Sequence, residues 1–430
     1  MPFYGLVPRR KRQTSQQMLD AQLVRGFKHL RRVLVLFDRF HTCGTQRDKA
    51  HNRTLFFDQY AALVLLHCFS PAMMTLRSIE QASELESVKR MLKTTRSFSR
   101  SALSEAPKLF DPELLQEVIA ELGKELVPLG KDPRLSDVKH TITLVDGTLL
   151  KALPRLAESM WMRHRNGKAV HGWRMHTQFE LDRHVPVDVR LTDYLNNSKQ
   201  TDERDVLAAR LEKGRCYVMD RGYFKYELFD AIVNIGSDYV CRVRENITQR
   251  LIEVRTGQLS EEAKQAGVVR DVVVHAGAPY ANQAAHPIRL VGVDVEVVPR
   301  GAGKEGVEKD YLLIATNLLD VPAEIIALLY RYRWTIELFF RFFKQLLGCR
   351  HLISDDPRGI AIQCYCAVIA CMLLTLYSGK KPNISTWRML HWYFTGWASE
   401  EELLAHLNKP PPNIGIRQRQ KDELWKKLGY

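Results

Sequence analysis

Residues 140–150 read HTITLVDGTLL, and this is where the chain changes its hydrophobic period. β-Branched residues dominate the first half, the composition of a strand buried on at least one face. Asp146-Gly147 sits in its middle, and because Asp-Gly is a turn signal the strand is expected to end there. Before residue 140 apolar residues recur at helical spacing; after it, strands and helices alternate. That change sets the fold class.

Working downstream, AVHGWRMHTQFEL (169–181) alternates and HVPVDVRLTD (184–193) follows after a turn at Asp182. DERDVLAARLEK (202–213) has helical spacing. CYVMDRGY (216–223) is a short apolar strand ending at Asp220, with the helix YELFDAIVNIG (226–236) and the strand DYVCRVR (238–244) behind it. Three strands, a helix, a strand, a helix and a strand make one mixed α/β layer. Residues 245 to about 317 are strand-rich again, through GVVRDVVVHAG (267–277), HPIRLVGVDVEVV (286–298) and YLLIATNL (311–318), and form a β-rich insertion.

Upstream, residues 1–138 read as a helical, basic region, built from segments at 17–40, 55–69, 75–92 and 111–126. Within it Lys89, Arg90, Lys93, Arg96 and Arg100 follow one another without an acid, and Ser99 or Ser101 suits the cap of the next helix. That outline resembles a helix–turn–helix, and a generic exposed basic loop fits equally. Gly130 and Pro133 mark the boundary before the strands. The core spans residues 139–380, with its insertion at about 245–317, and residues 381–430 form a helical C-terminal tail whose proline run 410–412 detaches the last basic residues.

The chain has 430 residues, enough for two or three domains, and its 45% hydrophobic and 26% charged content is that of a soluble globular protein. A net charge of +14 favours a polyanionic partner. Residues 1–53 carry twelve Lys/Arg against three Asp/Glu, so nine of those charges lie there. Membrane insertion is not expected: the longest apolar run, CAVIACMLLTLYSG (366–379), is too short to span a bilayer and reads as a buried helix. The N-terminus lacks the apolar core of a secretion signal. Eight cysteines without C-x-x-C spacing read as reduced, buried thiols of a cytosolic protein.

The chemistry is carried by acids. Residues 330–348, YRYRWTIELFFRFFKQLLG, read as one amphipathic helix at about 100° per residue. Tyr330, Arg333, Glu337, Arg341 and Lys344 share a polar arc of roughly 80°, opposite Phe339, Phe342, Phe343 and Leu346. One carboxylate cannot neutralise three cations, so the stripe suits a surface that meets phosphates and holds a metal ion. Asp146 and Asp220 stand at strand ends with glycines close behind, where α/β folds host sites. Each acid alone also fits a turn or a surface pair. Together the three match what is needed to hold two divalent ions about 3.5–4 Å apart for an in-line phosphoryl displacement. All-oxygen ligands favour Mg²⁺, with Mn²⁺ as a substitute, over zinc. His164, His171, His176 and His184 form no convincing zinc set and read as fold or DNA-contact residues.

The spacing Y-x2-R-x3-E-x6-K, met by Tyr330, Arg333, Glu337 and Lys344, resembles the signature of the DDE transposases of insertion-sequence family four. LVDGT (144–148) and VMDRGYF (218–224) are similar to that family's other two acidic motifs, and the resemblance runs over roughly residues 138–380. It implies a ribonuclease-H-like catalytic core with a β-strand insertion before the glutamate. It implies that Asp146, Asp220 and Glu337 are catalytic and bind two Mg²⁺ ions, and that Tyr330, Arg333 and Lys344 hold the DNA phosphates, with Arg221 a weaker candidate. The implied activity is cut-and-paste transposition: cleavage at transposon ends and strand transfer into target DNA. The implied partners are double-stranded DNA, both terminal inverted repeats and target, and a second copy of the chain in a DNA-bound homodimer. The implied setting is the bacterial cytoplasm, at the nucleoid. A catalytically inactive DNA-binding protein derived from such an enzyme would carry the same resemblance.

Overall fold

The longest apolar stretch of the N-terminal region forms helix α1 (Phe57–Phe69), buried along its length, including Gln59 and His67. Gln59 is satisfied there: its amide donates to the Leu92 carbonyl at 3.2 Å and its oxygen accepts from the Phe56 N–H at 3.1 Å. Helices α2 (Leu76–Glu84), α3 (Glu86–Met91), α4 (Arg100–Leu109) and α5 (Leu114–Glu125) follow. Ser99 caps α4, its hydroxyl accepting from the Ala102 N–H at 3.2 Å. The structure is a computed structural model that describes residues 33–43, 47–70, 72–151, 162–163, 169–170, 172–193, 202–278, 282–297, 308–346, 353–354, 356–379, 384–394 and 396–409. Most of the helix expected at 17–40, His164, His171 and the proline run 410–412 lie outside those residues.

Strand β1 (Thr141–Lys151) is the axis of a ten-stranded mixed sheet. It pairs antiparallel with β2 (Gly172–Glu180), which turns back into β3 (Val185–Asp193). The first half of β1 pairs parallel with β4 (Arg215–Met219), and β4 pairs parallel with β5 (Asp238–Val243). Parallel neighbours need crossovers. Helices α6 (Glu203–Ala208) and α7 (Tyr226–Asn234) lie in those connections, so the mixed α/β layer is as the sequence implies.

One boundary differs. β1 does not stop at Asp146-Gly147; it runs on to Lys151 because β2 pairs with it through Asp146↔Thr177 and Gly147↔His176 out to Lys151↔Gly172. Cross-strand pairing overrides the local turn signal. Only the parallel pairing with β4 ends there, at Val145↔Met219.

Strands β6 (Gln249–Val254), β7 (Val268–Ala278), β8 (Asn282–Gln283), β9 (Ile288–Val297) and β10 (Glu308–Thr316) continue the same sheet. β10 lies antiparallel to β5, β9 to β10 and β7 to β9, with β6 and β8 both on β7. The short helix α8 (Glu261–Gln265) sits between β6 and β7.

Helices α9 (Ala323–Tyr332), α10 (Trp334–Leu346) and α11 (Pro357–Ser378) come next, before α12 (Ile384–Phe394) and α13 (Glu400–Asn408). α9 packs on β5 and α10 on β1. α11 is longer than the apolar run suggested: its first turns recruit Ile360, Ile362 and Tyr365, and over Pro357–Leu376 it is long and apolar enough to cross a membrane. In the fold 94% of its most apolar window is buried, against α1, α5 and β3. The seven described cysteines form no disulfide with one another, and all but Cys43 are buried.

A buried ion pair fixes where α9 begins. Arg289 on β9 and Asp271 on β7 pair at 2.7 Å with side chains only 5% exposed. Arg289 also donates to the carbonyls of Leu318, Leu319 and Val321, and Arg255 donates to Leu319 at 2.6 Å. The segment entering α9 is thereby tied to the sheet. Arg289→Ala leaves a buried carboxylate and freed carbonyls, and is expected to cost about 3–5 kcal/mol of stability. Urea unfolding measures this; an unchanged midpoint would remove the clamp.

Candidate active site

Because Val145 pairs with Met219, the next residues, Asp146 in β1 and Asp220 just past the end of β4, follow from paired positions on neighbouring strands. Each carboxylate accepts from the N–H that follows it: Gly147 at 2.8 Å and Arg221 at 2.6 Å. For Asp220 this is the cap of a short 3₁₀ turn, Arg221–Tyr223.

The third acid arrives from a broken helix. The segment expected as one helix from Tyr330 is two: α9 ends at Tyr332, Arg333 is its C-cap, and Glu337 lies in the first turn of α10. At the joint Arg333 N–H bonds to Tyr330 at 3.1 Å and Ile336 N–H to Arg333 at 3.2 Å, both i→i+3 contacts of a 3₁₀ turn. Such a turn advances 120° rather than 100° per residue, so the polar and apolar faces stay nearly in phase and periodicity does not reveal the break. Ile336, Phe339, Phe342 and Phe343 are buried as the apolar face, with Phe339 5.3 Å from Phe179 of β2.

Arg333 sits at the joint with its side chain 13% exposed, bonded to Asp146 at 3.3 Å and to Glu337 at 2.5 Å. The Tyr330 hydroxyl meets Asp220 at 3.5 Å, and the Arg333 guanidinium carbon lies 5.8 Å from the Tyr330 ring centre. Two side chains thus gather all three carboxylates. Burial pushes the Asp146 carboxyl up to about 6; Arg333 and the Gly147 N–H oppose the rise, while Glu337 and Asp220 add to it. Burial works against the Arg333 charge, but Tyr330, Glu337, Asp146 and Asp220 outweigh it and keep the guanidinium protonated. Burial also raises the Tyr330 hydroxyl, which therefore stays a donor.

Lys344, half-buried, lies seven residues beyond Glu337 in the last turn of α10, and Arg341 is exposed. Arg221 is exposed and lines a cavity of about 370 Å³ beside Asp220, together with Arg204, Arg242, Arg244 and Phe224. Arg242 and Arg244 were not expected at a site: they come from the far end of β5, which only the β4–β5 pairing brings to Asp220. Glu203 was missed as well; it pairs with Arg174 at 2.6 Å just behind Gly147. His176 bonds Thr192 at 2.7 Å, and burial, then Arg174, pushes it down to about 4, so it is a neutral histidine of the sheet interior.

The description "Transposase DDE domain" matches residues 137–373, more than half of the chain. The chain belongs to the DDE transposases. A protein named as a transposase in Sinorhizobium fredii is 28% identical over 251 residues, 57% of this chain and 65% of that one. The protein named as the transposase of insertion sequence element IS5377 in Geobacillus stearothermophilus is 26% identical over 228 residues, 52% of this chain and 55% of its own length. One named for element IS4SA in Synechocystis is 21% identical over 277 residues, 64% of this chain and 71% of its own. The chain therefore spans 65% and 55% of the first two relatives. A cryo-EM structure of the piggyBac transposase synaptic complex with hairpin DNA covers 93% of this chain and 85% of its own at 11% identity, with a TM-score of 0.39, too loose to bear on fold or chemistry.

DDE transposase domains work with divalent metal ions. Among the described residues no three His, Cys, Asp or Glu side chains are close enough to hold one ion, and Arg333 lies between Asp146 and Glu337. The donor set nonetheless fits hard cations in kind: three carboxylates from three elements, with no thiol or imidazole among them. Asp146 must lose its proton before its oxygens can coordinate. Divalent-cation affinity is therefore expected to be full from about one unit above pH 6, halved near pH 6, and to fall about tenfold per pH unit below it. Calorimetric titration with Mn²⁺ between pH 5 and 8 checks this; a flat profile would take Asp146 out of the ligand set.

Proposed function

We propose that this chain is a cut-and-paste DNA transposase in which Asp146, Asp220 and Glu337 are the catalytic ligands of two Mg²⁺ ions, with Mn²⁺ able to substitute. The observation that carries the reading is the convergence of these carboxylates, from β1, the end of β4 and α10, on Tyr330 and Arg333. The bound ions would activate the attacking oxygen and stabilise the leaving one in an in-line phosphoryl transfer. Water is the first nucleophile and hydrolyses a phosphodiester at the element's end, leaving a 3′-hydroxyl. That hydroxyl then attacks a target phosphodiester, forming the new P–O bond and releasing a target 3′-hydroxyl.

Tyr330, Arg333 and Lys344 position the phosphates flanking the scissile bond. Arg333 has two sets of partners in this scheme: the carboxylates it holds in the free protein, and phosphates when the acids are engaged by cations. Arg221, with Arg204, Arg242 and Arg244, extends the cationic surface past Asp220; Arg204 pairs with Asp202 and Arg242 with Asp310, and the cations still outnumber these acids and Asp220, which suits a phosphate. In the same reading, residues 139–380 form a ribonuclease-H-like core, supported by the strand order β3-β2-β1-β4-β5 with helical crossovers. The basic residues 1–138 recognise terminal inverted repeats, and the protein acts as a homodimer at the bacterial nucleoid.

Glu337→Ala is expected to abolish Mg²⁺-dependent cleavage of end-bearing DNA while binding at low salt stays near normal, measured by gel assay and fluorescence anisotropy. Binding without any cleavage by the wild type would favour the inactive derivative instead. The double variant Arg242→Ala/Arg244→Ala should lower the slope of log affinity against log salt by about two. An unaltered slope would mean that DNA bypasses the cavity.

A further inference from the structure

Both catalytic-site aspartates are followed closely by a glycine, Gly147 and Gly222, and one side chain occupies the space beside both. Glu203, the first residue of α6, places Oε1 3.1 Å from where a Gly147 Cβ would stand and Oε2 3.4 Å from the corresponding point at Gly222. A single carboxylate thus lies against both β1 beside Asp146 and the 3₁₀ turn that Asp220 caps. Arg174 of β2 holds it there: Nη1 meets Oε1 at 2.6 Å, with the two side chains 22% and 27% exposed. The stem of Arg174 passes 3.6 Å from the same Gly147 position. α6 is tied to the loop beyond Asp220 by a second pair, Asp205 with Lys225 at 3.4 Å.

We infer that Glu203 is a positioning residue of the cation site: braced by Arg174, it sets the separation of Asp146 and Asp220 from behind and so tunes their grip on divalent ions. The inference rests on the reading of those aspartates as metal ligands. Groups that orient ligands without touching the ion are typically worth about 10–100-fold in metal affinity. An ordinary exposed ion pair would leave that affinity unmoved. The place of this carboxylate also explains why position 147 is glycine. At 3.1 Å an added methyl would press on the carboxylate, and β1 there is held in register by its pairing with β2.

The test is a Mn²⁺ titration of the full chain without DNA, by calorimetry, on the wild type and a set of variants. Glu203→Ala should weaken binding about 10–100-fold relative to wild type. Gly147→Ala should also weaken it in the wild-type background, yet have no further effect in Glu203→Ala, since the group it pushes is gone. Arg174→Lys keeps a cation beside the carboxylate and should stay near wild type. If Glu203→Ala unfolds, the near-isosteric Glu203→Gln decides by the same loss of affinity. Wild-type affinity in the Glu203 variant, or additive losses in the double variant, overturns the inference while leaving the transposase reading intact. A wild-type protein that takes up no Mn²⁺, or whose uptake survives Asp220→Ala, overturns the reading itself.

Discussion

One guanidinium holds the site together. Arg333 bonds Asp146 across 187 residues of chain and Glu337 one helical turn away, almost out of water. A buried cation without partners is several kcal/mol too costly to keep, so the α9–α10 joint and strand β1 are obliged to meet. Tyr330, one turn back from Arg333, then reaches Asp220 just past the end of the neighbouring strand. One cation thereby offsets part of the charge of three acids, and a neutral hydroxyl meets the acid it does not reach.

The rest of the fold serves that meeting. Parallel pairing of β1 with β4 runs up to Val145 and Met219, so the residues that follow, Asp146 on β1 and Asp220 at the cap of the turn after β4, leave the sheet from neighbouring positions. The strands after β5 extend the same sheet, and through Arg289 and Arg255 they grip the carbonyls that lead into α9. A region that reads in sequence as an insertion therefore anchors the helix pair that brings Arg333 and Glu337 to the sheet. On the opposite flank α11 is sheathed by α1, α5 and β3, which joins the N-terminal helices to the core through apolar packing.

Charge is distributed to match. Three carboxylates occupy the centre while arginines surround Asp220, in a protein with a net charge of +14. A cationic cavity raises the local concentration of a polyanion, and a carboxylate cluster repels it unless cations intervene. The two demands coexist because the acids gather on Arg333 and Tyr330, while the arginines line the cavity on the other side of Asp220.

The order of strands and helices, the buried face of α10, the Ser99 cap and the membership of the DDE transposases were all legible in the chain, because periodicity and motif spacing record which side of each local element is buried. The three acids stood out as candidates for the same reason, through their places in short motifs. What failed locally failed where a distant partner decided: β2 carried β1 past its Asp-Gly signal, and a tight turn at Arg333 broke a helix without disturbing its phase. Arg242, Arg244 and Glu203 carried no signal, since their relation to the aspartates exists only across strand pairing and crossover. Sequence by itself determined the elements, their order and their amphipathic faces, which depend on neighbours a few residues away. Tertiary structure alone decided which charges face one another, because that depends on packing between segments far apart in the chain.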